Sequence, residues 1–350
     1  MQQMGNLDYY YLVRELAAAE GAHLEQAYSL APGLFRFKLK GAAFSGDLLA
    51  ELGVRCHLSV KLQDAPKQPS SFAMLLRKHY CGKRVAKIEQ LHFDRLLRLD
   101  FREAGSIVIE MFKGGNLLAL DASGKILMPY RSEDYAARTL RRGELYAEPP
   151  QTQKHPSQAS GEDVSGGVKV VSALSKKISL PPFYLEEACR RAGVGLDEKA
   201  DDLGEGEKTR LVQAIRSLLA QTPSPRVYFE NDAPFAFSPF ALQKTGDALS
   251  EVFPSFSAAL EHYYALAPRI GAKSKDRAAA ALAKQEEAVQ QFAAKAAEAR
   301  AAAAWISANA ETVDELIAVA RNKGGYRIAA AAAEHGLKAR IEGVKLVLEK

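Results

Sequence analysis

A chain of 350 residues, 47% hydrophobic and 25% charged, is long enough for two or three domains and too apolar to be disordered throughout. Its net charge of +5 is too small to mark a polyanion binder by itself, so any such site must come from local clustering. Three scattered cysteines, Cys56, Cys81 and Cys189, exclude a C-x-x-C zinc or disulfide framework and fit a reducing compartment. No apolar run approaches the roughly 18 residues of a membrane span, and "MQQMGNLDYY" lacks the basic and apolar regions of a signal peptide. A cytoplasmic location without membrane contact is expected.

Leu7, Tyr11, Leu12, Leu16 and Ala19 recur at helical spacing, and Gly21 follows as a stop, which predicts an amphipathic helix over residues 6–20. "HLEQAYSL", "LFRFKLK" and "VRCHLSV" read as strands between the breakers "APG" and "GD". A helix over Ser71–Tyr80 follows from Pro69 ahead of it, a serine N-cap and Gly82 beyond its end. Leu97, Leu99 and Phe101 then alternate with Arg98, Asp100 and Arg102, the period of a half-buried strand. "REAGS", "KGGN" and "DASGK" separate the next apolar runs, so an antiparallel meander of four strands is expected. Residues 1–148 are therefore expected to form an α+β domain.

Pro, Ser, Gly and Gln dominate 149–168, the composition of a linker. Residues 169–265 read as short helices and tight hairpins, with Pro181 and Pro182 opening "FYLEEACRRAG". From 266 to 350 a coiled coil is expected, because Leu282, Gln285, Val289, Phe292, Ala296, Ala299, Ala303 and Ile306 trace a heptad seam. "TVDE" at 312–315 offers a capping box for a second, antiparallel arm. "IEGVKLVLEK" reads as a strand just beginning, as in a piece of a longer chain.

Between residues 72 and 102 stand eight Lys or Arg against three Asp or Glu, a local excess equal to that of the whole chain. Arg77, Lys78 and Arg84 belong to this stretch and suit phosphate contacts, or else a solvated charged face. Asp94 and Arg95 are its sharpest feature. As a pair they are either a local ion pair or a contact in which the carboxylate accepts from base amines or ribose hydroxyls while the guanidinium forks onto phosphate. His92 has no nucleophile or metal partner beside it and reads as a surface residue. "GVG" at Gly193 and Gly195 is either a plain turn or a helix-hairpin-helix loop whose amides hold a phosphate. No P-loop, dinucleotide fingerprint or metal-ligand spacing occurs, and no enzyme site or cofactor is expected.

"LDYYYLVREL", "SFAMLLRKHYCGKRVAKIEQLHFDRLLRL", "IEMFKGGNLLALD" and "RRGELYAEPP" follow one another as in the N-terminal domain of the NFACT family, that of NEMF and bacterial RqcH. "SLPPFYLEEACRRAGV" resembles its helix-hairpin-helix domain, and "AKQEEAVQQFAAKAAEARAAAAWI" the first arm of its coiled coil. The resemblance implies a ribosome quality control factor that binds the large ribosomal subunit and its rRNA beside peptidyl-tRNA and recruits tRNA for C-terminal tailing without mRNA. Peptide bond formation would belong to the ribosome. It further implies that Asp94 and Arg95 serve tRNA recruitment, with Asp8, otherwise a residue that suits the helix dipole, as companion. The resemblance leaves open a ubiquitin ligase or another quality control factor on the coiled coil, and the family's C-terminal RNA-binding domain is expected to lie outside these 350 residues, on a longer or a separate chain. A distant similarity to formamidopyrimidine-type DNA glycosylases offers the alternative of a DNA-repair protein. Those enzymes need an N-terminal proline, whereas this chain opens "MQQMGN". A third reading, adhesion through the coiled coil, follows an older fibronectin-binding label of the family.

Overall fold

The structure is a computed structural model that describes all residues except 62–63, 113, 268–295, 298, 324–326, 343–344 and 350. Two compact units divide the chain, Met1–Arg269 and Ile270–Lys350.

In the first unit, helix α1 (Asn6–Leu16) buries Leu7, Tyr11, Leu12 and Leu16 as its periodicity predicts, and residues 17–19 tighten into a 3-10 turn. Strands β1 (His23–Ala31), β2 (Leu34–Lys40), β3 (Ser45–Glu51) and β4 (Arg55–Ser59) form an antiparallel sheet in chain order. The supposed breaker Gly46–Asp47 lies inside β3. Asp47 is accommodated there because its carboxylate faces Arg36 on β2 at 3.5 Å, a cross-strand partner that no local reading reveals.

Helix α2 (Ser71–Tyr80) stands where expected, with Ser70 Oγ accepting the amide of Ala73 at 3.2 Å. A five-stranded antiparallel sheet follows: β5 (Val85–Gln90), β6 (Leu96–Phe101), β7 (Gly105–Glu110), β8 (Asn116–Leu120) and β9 (Ile126–Pro129). That is one strand more than expected. The register shift between Val85 and Lys87 puts the buried Val85 and Ile88 three residues apart and hides the two-residue period of β5. A small ribbon of β10 (Glu133–Asp134) and β11 (Thr139–Leu140) is fastened to β7 by Arg138, whose guanidinium meets the buried Glu110 carboxylate at 2.5 and 2.8 Å.

Residues 149–168, expected as a linker, contain 3-10 turns at Pro156–Gln158 and Gly161–Asp163. Ala159 and Val164 enter the same core as both sheets, and two modest side chains among Pro, Ser and Gly leave no pattern to detect. The short helices α3 (Val170–Lys177), α4 (Pro182–Ala192) and α5 (Glu205–Ser217) match the expectation. Their region is not all helical, however. Strands β12 (Arg226–Glu230), β13 (Ala233–Ser238) and β14 (Leu249–Val252) form a sheet in the order β13-β12-β14, against which α6 (Phe256–Leu266) packs.

In the second unit residues 299–308 are helical, helix Ala310–Lys323 follows a turn at Asn309, and helix Ile328–Glu334 leads to the hairpin β15 (Lys338–Glu342) and β16 (Lys345–Glu349). Leu316, Ile328, Ala332 and Leu337 are its buried core. Thr312 falls inside a helix instead of capping one, because the amide of Val313 already bonds the Asn309 carbonyl at 3.0 Å. Leu282, Gln285, Val289 and Phe292, half of the expected heptad seam, lie outside the described residues.

Candidate functional site

Everything at the site is hung from the turn between β5 and β6. The amide of Asp94 donates to the Leu91 carbonyl at 2.9 Å, and the two residues between, His92 and Phe93, have φ of 53° and 54°. This is a primed hairpin turn built without glycine, and each left-handed non-glycine residue costs about 1 kcal/mol or more. Burial of Phe93 offsets that strain: its ring lies 5.6 Å from Tyr10 and 4.7 Å from His155, and its carbonyl accepts Ser179 Oγ at 3.2 Å. His92 reaches the Glu148 carboxylate. Gln90 Nε2 donates to the carbonyls of Asn6 and Asp94, both at 2.8 Å, and so ties the start of α1 to the turn.

Asp94 and Arg95 are thereby held, half-buried, on one wall of an open cleft of about 450 Å³ that also includes Gln3 to Asn6, Phe112, Gln153 and Pro181. Asp94 Oδ1 accepts the amide of Arg95 at 2.7 Å. The Arg95 guanidinium lies 5.3 Å over the Phe112 ring and has no ion pair among the described residues. A fixed acceptor and a planar five-donor fork therefore stand side by side at an opening, able to meet a ribose hydroxyl or base amine together with a phosphate.

Asp8 is not beside them at the surface. It is 1% exposed, its Oδ2 accepting the Gly5 amide at 2.7 Å and its Oδ1 the Tyr184 hydroxyl. Burial raises its carboxyl to about 7. What Asp8 does is fix Gly5, whose backbone packs so closely on Pro181 that a Cβ there would come within 2.7 Å of Pro181 Cγ. Gly5 and Pro181 both line the cleft, so Asp8 shapes its wall from behind.

The basic stretch does not converge on this pair. Arg77 is half-buried, its Nε donating to the Ala27 carbonyl at 2.8 Å and its guanidinium lying over Tyr28 on β1. Lys78 and Arg84 are exposed, but Arg84 precedes β5 whereas Asp94 follows its other end, and six residues of strand span about 20 Å. Lys87 pairs with Glu89 and Arg98 with Asp100, which neutralises part of the apparent excess. Gly193 is the left-handed cap of α4, φ 71°, and its amide, like that of Val194, bonds carbonyls of the last turn. The amide of Gly195 donates to Glu198 Oε1 at 2.9 Å. The hairpin already holds an anion, the chain's own carboxylate.

Asn6 and Phe112, which line the cleft, and Gln90, which ties the turn to α1, were not foreseen. Gln90 lies four residues before Asp94 in the stretch that carries the family resemblance, but its two carbonyl partners are visible only in three dimensions.

The model of a family described as NFACT N-terminal and middle domains matches residues 6–326. Among curated proteins the chain is 30% identical over 219 residues to an archaeal Rqc2 homolog, aRqcH, of Methanocaldococcus jannaschii, covering 58% of this chain and 32% of that protein. It is 33% identical over 130 residues to ribosome quality control complex subunit 2 of Saccharomyces cerevisiae, covering 36% and 12%. The matched region thus spans a third or less of these relatives. Among solved structures, a fibrinogen binding protein from Staphylococcus aureus aligns with a TM-score of 0.61 at 19% identity, over 74% of this chain and 98% of that one, which shows a common fold. With a family match running across more than nine tenths of its length, the chain belongs to the NFACT family.

Proposed function

We propose that this chain is a positioning factor of ribosome-associated quality control, which binds an obstructed large ribosomal subunit carrying peptidyl-tRNA and recruits tRNA so that the stalled chain is extended without mRNA. Three observations support the reading: membership of the NFACT family, relatives named as ribosome quality control proteins, and the cleft at Asp94 and Arg95. The observation that carries it is the strained turn. Two left-handed non-glycine residues stand where Asn-Gly would carry less strain, and the pair that follows them lines an opening, with the Arg95 guanidinium in no ion pair among the described residues. Orientation and proximity are the contribution expected of such a factor, with the ribosome making the peptide bond. Its place of action is the cytoplasm.

Co-sedimentation with large subunits carrying peptidyl-tRNA tests this. Replacing both residues, Asp94→Ala with Arg95→Ala, removes two charge-assisted contacts and should lower recovery of the recruited tRNA about 10- to 100-fold while subunit binding persists. Unchanged tRNA recovery would exclude the pair from tRNA recruitment.

A further inference from the structure

The turn that presents Asp94 also borders a second pocket, about 380 Å³, whose walls are Tyr10, Val13, Arg14, Gln90, Phe93 and His155, with the Lys87–Glu89 pair at its edge. We propose that this pocket takes one unpaired RNA nucleobase by stacking against Tyr10 and His155, with Arg14 on the adjoining phosphate. The inference rests on the tRNA reading above and deepens it: the same RNA is held on both sides of one rigid turn.

The chemistry of the walls selects this occupant. Tyr10 and His155 are half-buried, and both pack against the buried Phe93, so their rings are held while part of their surface stays accessible. Locked rings lose little entropy on stacking, and every base has a π-face. His155 Nδ1 accepts the amide of Ser157 at 3.2 Å, which places the ring proton of the neutral form on Nε2 and leaves that nitrogen a donor. Burial pushes the His155 pKa down, which favours the neutral ring that suits stacking on a base. Arg14 is exposed, lies 5.6 Å over both Tyr10 and Tyr11, and has no carboxylate partner among the described residues. Lys87 is matched by Glu89, so Arg14 is the unmatched charge of the pocket. Flat aromatic walls with one free guanidinium fit a nucleotide better than an aliphatic peptide side chain. A paired base, stacked inside its duplex, cannot enter.

The test uses the full chain and two RNAs, a stem-loop with 2-aminopurine at one unpaired loop position and the same stem as a blunt duplex with that base paired. The wild-type chain should bind the stem-loop more tightly and quench its fluorescence. Tyr10→Leu keeps apolar bulk but removes the ring; it should weaken stem-loop binding about 5- to 100-fold and abolish quenching, with duplex binding unchanged. Tyr10→Phe should restore both readouts, His155→Ala should reduce quenching through a residue outside any α-helix, and Arg14→Gln should lower the salt slope by about 0.7. Equal weakening of stem-loop and duplex would show that Tyr10 acts through the fold, which overturns the proposal. Wild-type quenching in both Tyr10→Leu and His155→Ala, with tRNA binding still lost in the Asp94 and Arg95 double variant, overturns the base site alone and leaves the tRNA reading standing. If the wild-type chain binds neither tRNA nor stem-loop, both fall.

Discussion

Burial shifts both Asp8 and His57 toward their uncharged forms, so their pKa values move in opposite directions. Burial raises the Asp8 carboxyl from 3.8 to about 7 and lowers His57 from 6.5 to about 4, the latter against its Nδ1 contact with the Leu58 carbonyl at 2.8 Å, which acts to raise it. The stability that Asp8 contributes is complete below its unfolded value near 3.8 and is lost as pH rises through about 7. His57 works the other way: its contribution is complete above 6.5 and is lost as pH falls through about 4. Between those limits the two slopes oppose one another. Asp8→Asn keeps an acceptor for the Gly5 amide and removes one slope. Urea unfolding at pH 4.5, 6 and 8 should therefore show the variant gaining on wild type as pH rises, by on the order of a few kcal/mol in all. A difference independent of pH would mean that Asp8 titrates near its ordinary value. The sequence marks Asp8 as a first-turn acid, but its burial comes from Tyr184, 176 positions away.

At the scale of elements, the β5–β6 hairpin shows why the site was partly legible. "HFDRLL" announces a charged pair at a strand start, and the alternation of β6 is plain. The turn is not announced, because neither Asn-Gly nor Asp-Gly occurs in it and β5 is masked by its bulge. His92 is exposed at φ 53°, a conformation that asparagine tolerates better. His92→Asn should raise stability by about 1 kcal/mol in thermal unfolding by relieving that residue's strain. A loss instead would mean that the contact with Glu148 outweighs the strain. Glu187 on α4 shows the same dependence on distant partners. Fully buried, it accepts the amides of Gln243 and Lys244 at 2.9 Å and Arg191 Nε at 2.6 Å, and so pins the connection from β13 to β14.

For the whole molecule, the α+β part and the helical part that follows it share one core. Tyr11 donates to the Leu218 carbonyl at 2.7 Å, Gln2 Oε1 accepts the Phe237 amide at 3.0 Å, and Glu15 caps α6 through the Phe256 amide at 2.9 Å. Cutting at residue 148 would expose the far side of α1 and strip these groups of partners. A fragment of residues 1–148 should show no cooperative urea transition, whereas Met1–Arg269 should unfold in one step by circular dichroism and tyrosine fluorescence alike. A sharp transition in the shorter fragment would make residues 1–148 an independent domain. Trp305, the single tryptophan, reports on the second unit separately.

Local periodicity and capping by themselves determined α1, α2, the chain of short helices and most of the second sheet, because those elements bury a regular face. The order of motifs pointed to the family as well. Only the tertiary structure decided that Asp8 is buried, that Arg84 stands at the opposite end of β5 from Asp94, that Gly195 is already bonded to Glu198 and that Ala159 and Val164 of the expected linker belong to the core. Each of these depends on which distant groups meet. Periodicity records the face that an element buries and carries no information about the partner that covers it.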